Sequence, residues 1–274
     1  MTDVMDPQPK QPKKKSDLLV RSLSSILLGP PVLAAVYFGA PYSDLLIFLC
    51  SLVLAWEWGS LCGRGSLGRI GFCLMASVMF VMLFGVFEQF TIAIWTLSIA
   101  VIAVMGVTQL FFKDIKDINW YVLGFFYISI SSLALLWIRN NPANGLEIIF
   151  WVLFVVWATD IGAYFAGRSI GGPKIAPKIS PKKTWAGLIG GMVSAAIVSY
   201  IFVHWINNIS PWELVISGAL LAVVSQAGDF FESHLKRKFN AKDSSNLIPG
   251  HGGLLDRVDG LLACAIVVAG FNIF

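Results

Sequence analysis

Charge is what this chain has least of. Only 13% of its 274 residues are Asp, Glu, Lys or Arg, against 57% hydrophobic. That balance decides against one or two soluble domains, and the mean hydropathy of +0.75 is that of a membrane protein. The net charge of +4 is too small to call for a nucleic-acid partner. Cysteine is scarce as well. Cys50, Cys62, Cys73 and Cys264 form no C-x-x-C pair and lie mostly in or beside apolar runs, so neither a disulfide framework nor a zinc site is indicated. There is no G-x-x-x-x-G-K-[ST] loop, which excludes a P-loop nucleotide site. No internal repeat is present.

What the chain does have is long apolar runs. A hydrocarbon layer of ~30 Å takes roughly 20 helical residues. Nine runs approach that length, at 20–39, 44–62, 68–87, 90–112, 119–138, 147–166, 185–205, 211–230 and 254–274. Such runs are apolar on every face, unlike the helices of a soluble domain. The first contains Pro30-Pro31 and lacks a small-residue cleavage site, so it reads as a kinked span rather than a signal peptide. The expected fold is all-α and polytopic, with about nine transmembrane helices. It divides into a disordered cytoplasmic tail (1–17), N-terminal transmembrane helices (18–146) and a C-terminal catalytic transmembrane region (147–274).

The few cations are unevenly placed. Every Lys and Arg except Arg139 falls in the tail or in alternate connections on the tail's side. By the positive-inside rule the N-terminus is cytoplasmic and the C-terminus external. The opposite connections are short and poor in chemistry, so function is expected on the cytoplasmic face, mostly in the last 120 residues.

Polar residues within or beside the spans are costly and mark candidate sites. Glu57, in AWEWGSL, is either paired near the cytoplasmic end of its span or turned into a polar cavity. Asp160 ends the sixth run. Gly162, Ala163 and Gly167 beside it permit close helix approach, and a loop with Lys182 and Lys183 follows. Such a loop can present ammonium and N–H groups to anions. Thr184 precedes the next apolar run as a plausible N-cap.

The longest polar segment after the tail is SQAGDFFESHLKRKFNAKDSSNLIPGHGGLLDRVDG, from Ser225 to Gly260. Asp229, Glu232 and Ser225 share one helical face. Asp256 and Asp259 stand one turn apart on the next helix. Two such carboxylates, a third at Asp229 and a fourth at Asp160 suit a hard cation that takes oxygen ligands, and magnesium with substrate phosphates fits best. Charge pairing of these acids with Lys236, Arg237 and Arg257 is the competing reading. His251 either orients a phosphate or packs the glycine turn; His204 and His234 have no case beyond surface or interface residues.

The run from Ser233 to Asp259 resembles the signature of CDP-diacylglycerol synthases, also called phosphatidate cytidylyltransferases. Ser233, Lys236, Arg237, Lys242, Asp243, Ser245, Pro249, His251, Gly252, Gly253, Asp256, Arg257 and Asp259 all stand at its fixed places. Gly228-Asp229, the D-x-G-A-Y at Asp160 and the S-P-K-K-T-W block at 180–185 also resemble the family. One departure is Ala186, where many members carry Glu, leaving Glu232 or water to fill that place.

The resemblance implies the reaction CTP + phosphatidate → CDP-diacylglycerol + pyrophosphate. It also implies a homodimer and a centre of magnesium with potassium. Asp229 and Asp256 would hold the metals, with Asp259 close by. Lys236, Arg237, His251 and Arg257 join these carboxylates as candidate catalytic residues. Asp160, Lys182, Lys183, Thr184, Lys242 and Asp243 are candidates for binding the nucleotide. Two other activities compete with this one. A CTP-dependent kinase of a polyprenol or phytol would transfer the γ-phosphoryl instead. An anion transporter would place its carboxylates at mid-membrane or in repeated halves, whereas here they cluster at one face. An alcohol phosphotransferase acting on a CDP-lipid is excluded, since its D-G-x-x-A-R pattern is absent.

Overall fold

The computed structural model of the protein describes residues 15–87, 89–97, 99, 117–141, 143–177, 179–206, 209–250 and 252–271, with side chains from Leu27 onward. Eight helices carry the fold: α1 (Lys15–Phe38), α2 (Tyr42–Cys62), α3 (Gly68–Val86), α4 (Ile118–Arg139), α5 (Gly145–Ser169), α6 (Trp185–Phe202), α7 (Pro211–Lys238) and α8 (Leu255–Gly270). A further helical stretch covers 90–97. Six of them, α2 to α7, are long and apolar enough to cross a membrane. Of the nine runs expected, the first continues as one helix through Pro30-Pro31. The last is a 16-residue helix. Most of the fourth, like the polar tail at 1–14 and His251, lies outside the described residues.

The structure departs from an all-helical reading at one place. The Lys-rich connection between α5 and α6 is an antiparallel hairpin, β1 (Lys174–Ala176) with β2 (Ser180–Thr184), in which Lys174 faces Thr184 and Ala176 faces Ser180. Its strands are too short to show a period in sequence, and Pro181 argues against a strand anywhere but at an edge. Thr184 is the N-cap expected: its Oγ1 accepts from Gly187 N at 3.1 Å. At α7, Pro211 occupies the first turn, and Glu213 accepts from Ser210 N at 3.1 Å.

Small residues set how closely the helices approach. A Cβ on Gly162 would overlap Ser194 Oγ and lie 2.6 Å from Gly190 O, so α5 and α6 touch backbone to backbone. A Cβ on Gly228 would lie 2.6 Å from Asp259 O, and one on Gly260 would overlap Ser225 Oγ, so α7 and α8 do the same. Two apolar clusters fill the interior, one around Trp58, Leu74, Met82 and Phe125, the other around Trp151, Val152, Leu221 and Ala265. Trp58 Nε1 donates to Trp120 O at 2.8 Å and ties the end of α2 to the start of α4. At the opposite end Arg139 donates to Val36 O and Tyr37 O at 2.6 and 3.1 Å. Helices α2 and α4 therefore run in opposite directions between these two ends. Among the described side chains, every Lys and Arg but Arg139 sits at the end that holds Trp120.

Candidate active site

At that cation-rich end five pieces of chain converge: the end of α5, the hairpin, the start of α6, the end of α7 and the start of α8. The first four line a cleft of about 200 Å³ with Asp160, Tyr164, Lys182, Lys183, Thr184, Gln226 and Asp229, among others, and α8 packs against α7 beside it. The hairpin brings its lysines to the carboxylates. Lys183 Nζ lies 2.5 Å from Asp229 Oδ2 and 4.7 Å from the centre of the Phe230 ring. Ser233 Oγ donates to Asp229 Oδ1 at 3.3 Å, one turn along α7.

Two further carboxylates gather at Asp229 behind this pair. Asp229, Glu232 and Asp259 each offer an oxygen, all within 4.8 Å of one another. Glycine makes this possible: without the close approach at Gly228, α8 could not set Asp259 against α7. Tyr127 of α4 donates its hydroxyl to Asp259 O at 3.2 Å and steadies that turn. Glu232 is 4% exposed, and its Oε1 is buried with no hydrogen-bond partner. A buried carboxylate oxygen left unpaired costs about 1–3 kcal/mol or more. An all-oxygen, anionic donor set with such an orphaned atom fits a hard divalent cation, which would take up that oxygen.

Asp256 sits beside Glu232, on the other side of Lys236. Its Oδ1 meets Lys236 Nζ at 2.6 Å, and its Oδ2 accepts from Ser244 N, Ser244 Oγ and Gly253 N at 2.9, 3.0 and 2.8 Å. Both oxygens are thus engaged within the protein, and Asp256 is not among the three that gather. Lys236 in turn bonds Glu232 Oε2 at 2.6 Å.

The remaining candidates divide by position. Arg257 is exposed, close enough to Asp160 for its charge to act there. Arg237 is exposed and donates to Ala241 O at 3.3 Å, closing the end of α7. Lys242 is exposed outside the cleft. Asp243 lines a different cavity of about 410 Å³ with Trp56, Arg64 and Asn246. Three residues went unassigned from sequence: Glu57, discussed below, Gln226 and, as a ligand, Glu232. Gln226 is 6% exposed, lines the cleft and has an unpartnered Nε2. Its position in SQAGD, three residues before Asp229 on the same helix, was the available signal.

The chain matches the sequence profile of the Cytidylyltransferase family over residues 19–274. It is 35% identical over 253 residues to the phosphatidate cytidylyltransferase of Brucella suis biovar 1, covering 92% of each chain. It is likewise 35% identical over 267 residues to that of Rickettsia bellii, covering 95% of this chain and 93% of the relative. The phosphatidate cytidylyltransferase of Haemophilus influenzae is 44% identical over 140 residues, about half of each chain. With a match that runs through the site and nearly the whole length, the chain belongs to the cytidylyltransferase family.

Proposed function

We propose that this protein is a phosphatidate cytidylyltransferase, which joins CTP and phosphatidate to give CDP-diacylglycerol and pyrophosphate. The observation that carries the reading is the meeting of Asp229, Glu232 and Asp259, with the hairpin's Lys183 on Asp229 where it lines the cleft, on the segments that hold the family signature. Both substrates are anions, so the transfer needs positioning and charge neutralisation more than a protein nucleophile. An oxygen of the lipid phosphate attacks the α-phosphorus of CTP, the α–β P–O bond breaks, and pyrophosphate leaves with the bonding electrons.

Asp229, Glu232 and Asp259 would hold magnesium, with potassium as its companion in the family's pattern; bound there, the cations would screen the charge that gathers on the phosphates. Lys183 gives up its contact with Asp229 to a phosphate oxygen, and Lys182 adds a second ammonium from the same strand. The start of α6, capped by Thr184, turns its positive end toward the cleft. Arg257 and Arg237, exposed at this end of the bundle, draw anions toward it. Asp256 keeps Lys236 in place.

Nine spans, a cytoplasmic N-terminus and an active site facing the cytoplasm belong to the same reading, supported by the gathering of the cations at the site's end of the bundle. The homodimer is supported by the family resemblance alone. The deciding experiment supplies purified protein with phosphatidate, magnesium and CTP labelled at either the α or the γ position. The α label is expected in the lipid and the γ label in pyrophosphate. A γ label in the lipid, with CDP released, would make the protein a lipid kinase.

A further inference from the structure

Glu57 is fully buried and touches neither the cleft nor the three gathered carboxylates. Its two oxygens are devoted to one distant segment. Oε1 accepts from Leu254 N at 2.8 Å and Ser245 Oγ at 2.6 Å; Oε2 accepts from Leu255 N at 2.7 Å and Ser244 Oγ at 3.3 Å. Helix α8 begins at Leu255 with no side-chain cap of its own, since Leu254 precedes it. The first N–H groups of a helix need acceptors, and a carboxylate there also meets the positive end of the helix dipole. Glu57 is therefore the cap of α8, supplied from α2. Gly253 makes room for it, because a Cβ at that position would lie 2.5 Å from Glu57 Oε1 and would overlap Ser244 Oγ.

The segment so held is the one that delivers the site. Ser244 Oγ lies between Glu57 and Asp256, at 3.3 and 3.0 Å, and Ser244 N donates to Asp256 as well. Asp256 holds Lys236, which holds Glu232. Asp259 follows one turn later on the helix that Glu57 caps. On the other side Trp58, the next residue of α2, is packed on Gly124 and bonded to Trp120, so the anchor itself is fixed.

We propose that Glu57 is a positioning residue for nucleotidyl transfer: it locks the Ser244–Leu255 segment and the start of α8 so that Asp259 and Glu232 meet Asp229 in metal-binding geometry. This rests on the reading of those three carboxylates as the cation site. Residues that orient metal ligands from behind typically cost roughly 10–100-fold in metal affinity or activity when changed.

The test uses the purified full-length protein and its Glu57→Gln, Glu57→Asp, Ser245→Ala and Asp229→Asn variants. It measures Mn²⁺ binding by paramagnetic resonance without substrate, then kcat, KM for CTP and the magnesium concentration for half-maximal rate. Glu57→Gln is expected to lose roughly 10–100-fold in kcat and in Mn²⁺ affinity. Its KM for CTP at saturating magnesium should stay near that of the native protein, and Glu57→Asp should recover part of both losses. Ser245→Ala, which removes one of the four bonds to Glu57, should shift both quantities in the same direction by a smaller factor. That variant decides the matter if neither Glu57 variant folds. Native kcat and Mn²⁺ affinity in Glu57→Gln, or in Ser245→Ala where the former is unobtainable, would overturn the proposal whatever the change in thermal stability. Undiminished Mn²⁺ binding in Asp229→Asn would instead remove the cation site and the inference with it. Weakened binding in Asp229→Asn alone would remove only the role of Glu57.

Discussion

Lys236 stands between two acids from different helices, its ammonium 2.6 Å from Glu232 Oε2 on α7 and 2.6 Å from Asp256 Oδ1 on α8. The three side chains are 13, 5 and 6% exposed. One cation thus ties a carboxylate of the gathered cluster to the neighbouring carboxylate of Asp256. A buried group of this kind is costly to break, because removing one member leaves the others charged and unpaired.

Lys236→Met should therefore destabilise the protein by about 3–5 kcal/mol, the usual cost of breaking a buried pair. Combining it with Asp256→Asn should recover part of that loss, since the second change removes the stranded charge. Thermal unfolding of the two single variants and the double variant in detergent checks this through their coupling. Strict additivity, within about 0.3–0.5 kcal/mol, would mean that the two groups do not act together.

The two aspartates of α8 should answer differently to neutralisation. Asp259→Asn removes one of the gathered oxygens, so the magnesium needed for half-maximal rate should rise steeply and kcat fall by orders of magnitude; a loss of about 4 kcal/mol of transition-state stabilisation is roughly 10³ in rate. Asp256→Asn loosens Lys236 and Ser244 and should lower the rate with a smaller change in magnesium requirement. Magnesium titrations of both variants decide it. Equal shifts would return Asp256 to the cation site that the family resemblance gives it.

The one-turn spacing of Asp256 and Asp259 was legible in the sequence, but not which partners each would meet, and the reason is geometric. Residues three apart on a helix differ by about 60° around its axis. That angle is enough to send Asp256 to Lys236 and the Ser244 loop while Asp259 meets α7. Much else was legible. The end of the bundle that carries the chemistry follows from the cation asymmetry, Thr184 from capping rules, and the approach of α5 to α6 from Gly162 and Gly167. Glu57 was legible only as a polar residue near a span end, because its partners lie almost 200 residues away. Glu232 was legible as part of a polar face with Asp229, but its unpaired oxygen depends on where α8 packs. The hairpin was hidden by the shortness of its strands and by Pro181.

Gly228 should matter to activity although it offers no side chain to the reaction. A methyl group there would lie 2.6 Å from Asp259 O and 2.9 Å from Ala263 Cβ, neither of which can swing aside. Overpacking of this kind costs typically about 1–3 kcal/mol and is relieved by moving the helices apart, which would separate Asp229 from Asp259. Gly228→Ala is expected to weaken magnesium activation and lower kcat together. Gly29→Ala is the matched control, since a Cβ there meets nothing within 4 Å and alanine favours the helix. Full activity in Gly228→Ala would show that the close approach is not needed to form the site.

The last prediction concerns which side of the membrane the cleft faces. Arg139 marks one end of the bundle through its bonds to Val36 O and Tyr37 O, and the exposed Ala143 lies in the connection that follows it. Lys242 is exposed at the other end, beyond α7. Cytoplasmic connections collect Lys and Arg because such segments resist translocation, so the Lys242 end is expected inside and the Ala143 end outside. The proposed reaction calls for the same orientation, since CTP is a polyanion that does not cross a bilayer unaided. Single cysteines at Ala143 and Lys242, in a chain whose four native cysteines are replaced by alanine, report on this directly. A membrane-impermeant maleimide added to intact cells should label Ala143→Cys and leave Lys242→Cys unlabelled until the membrane is permeabilised. The reverse pattern would place the cleft outside and overturn the orientation. Labelling of both positions in intact cells would mean that the two ends do not lie on opposite faces, which would overturn the assignment of α5, α6 and α7 as three spans between them.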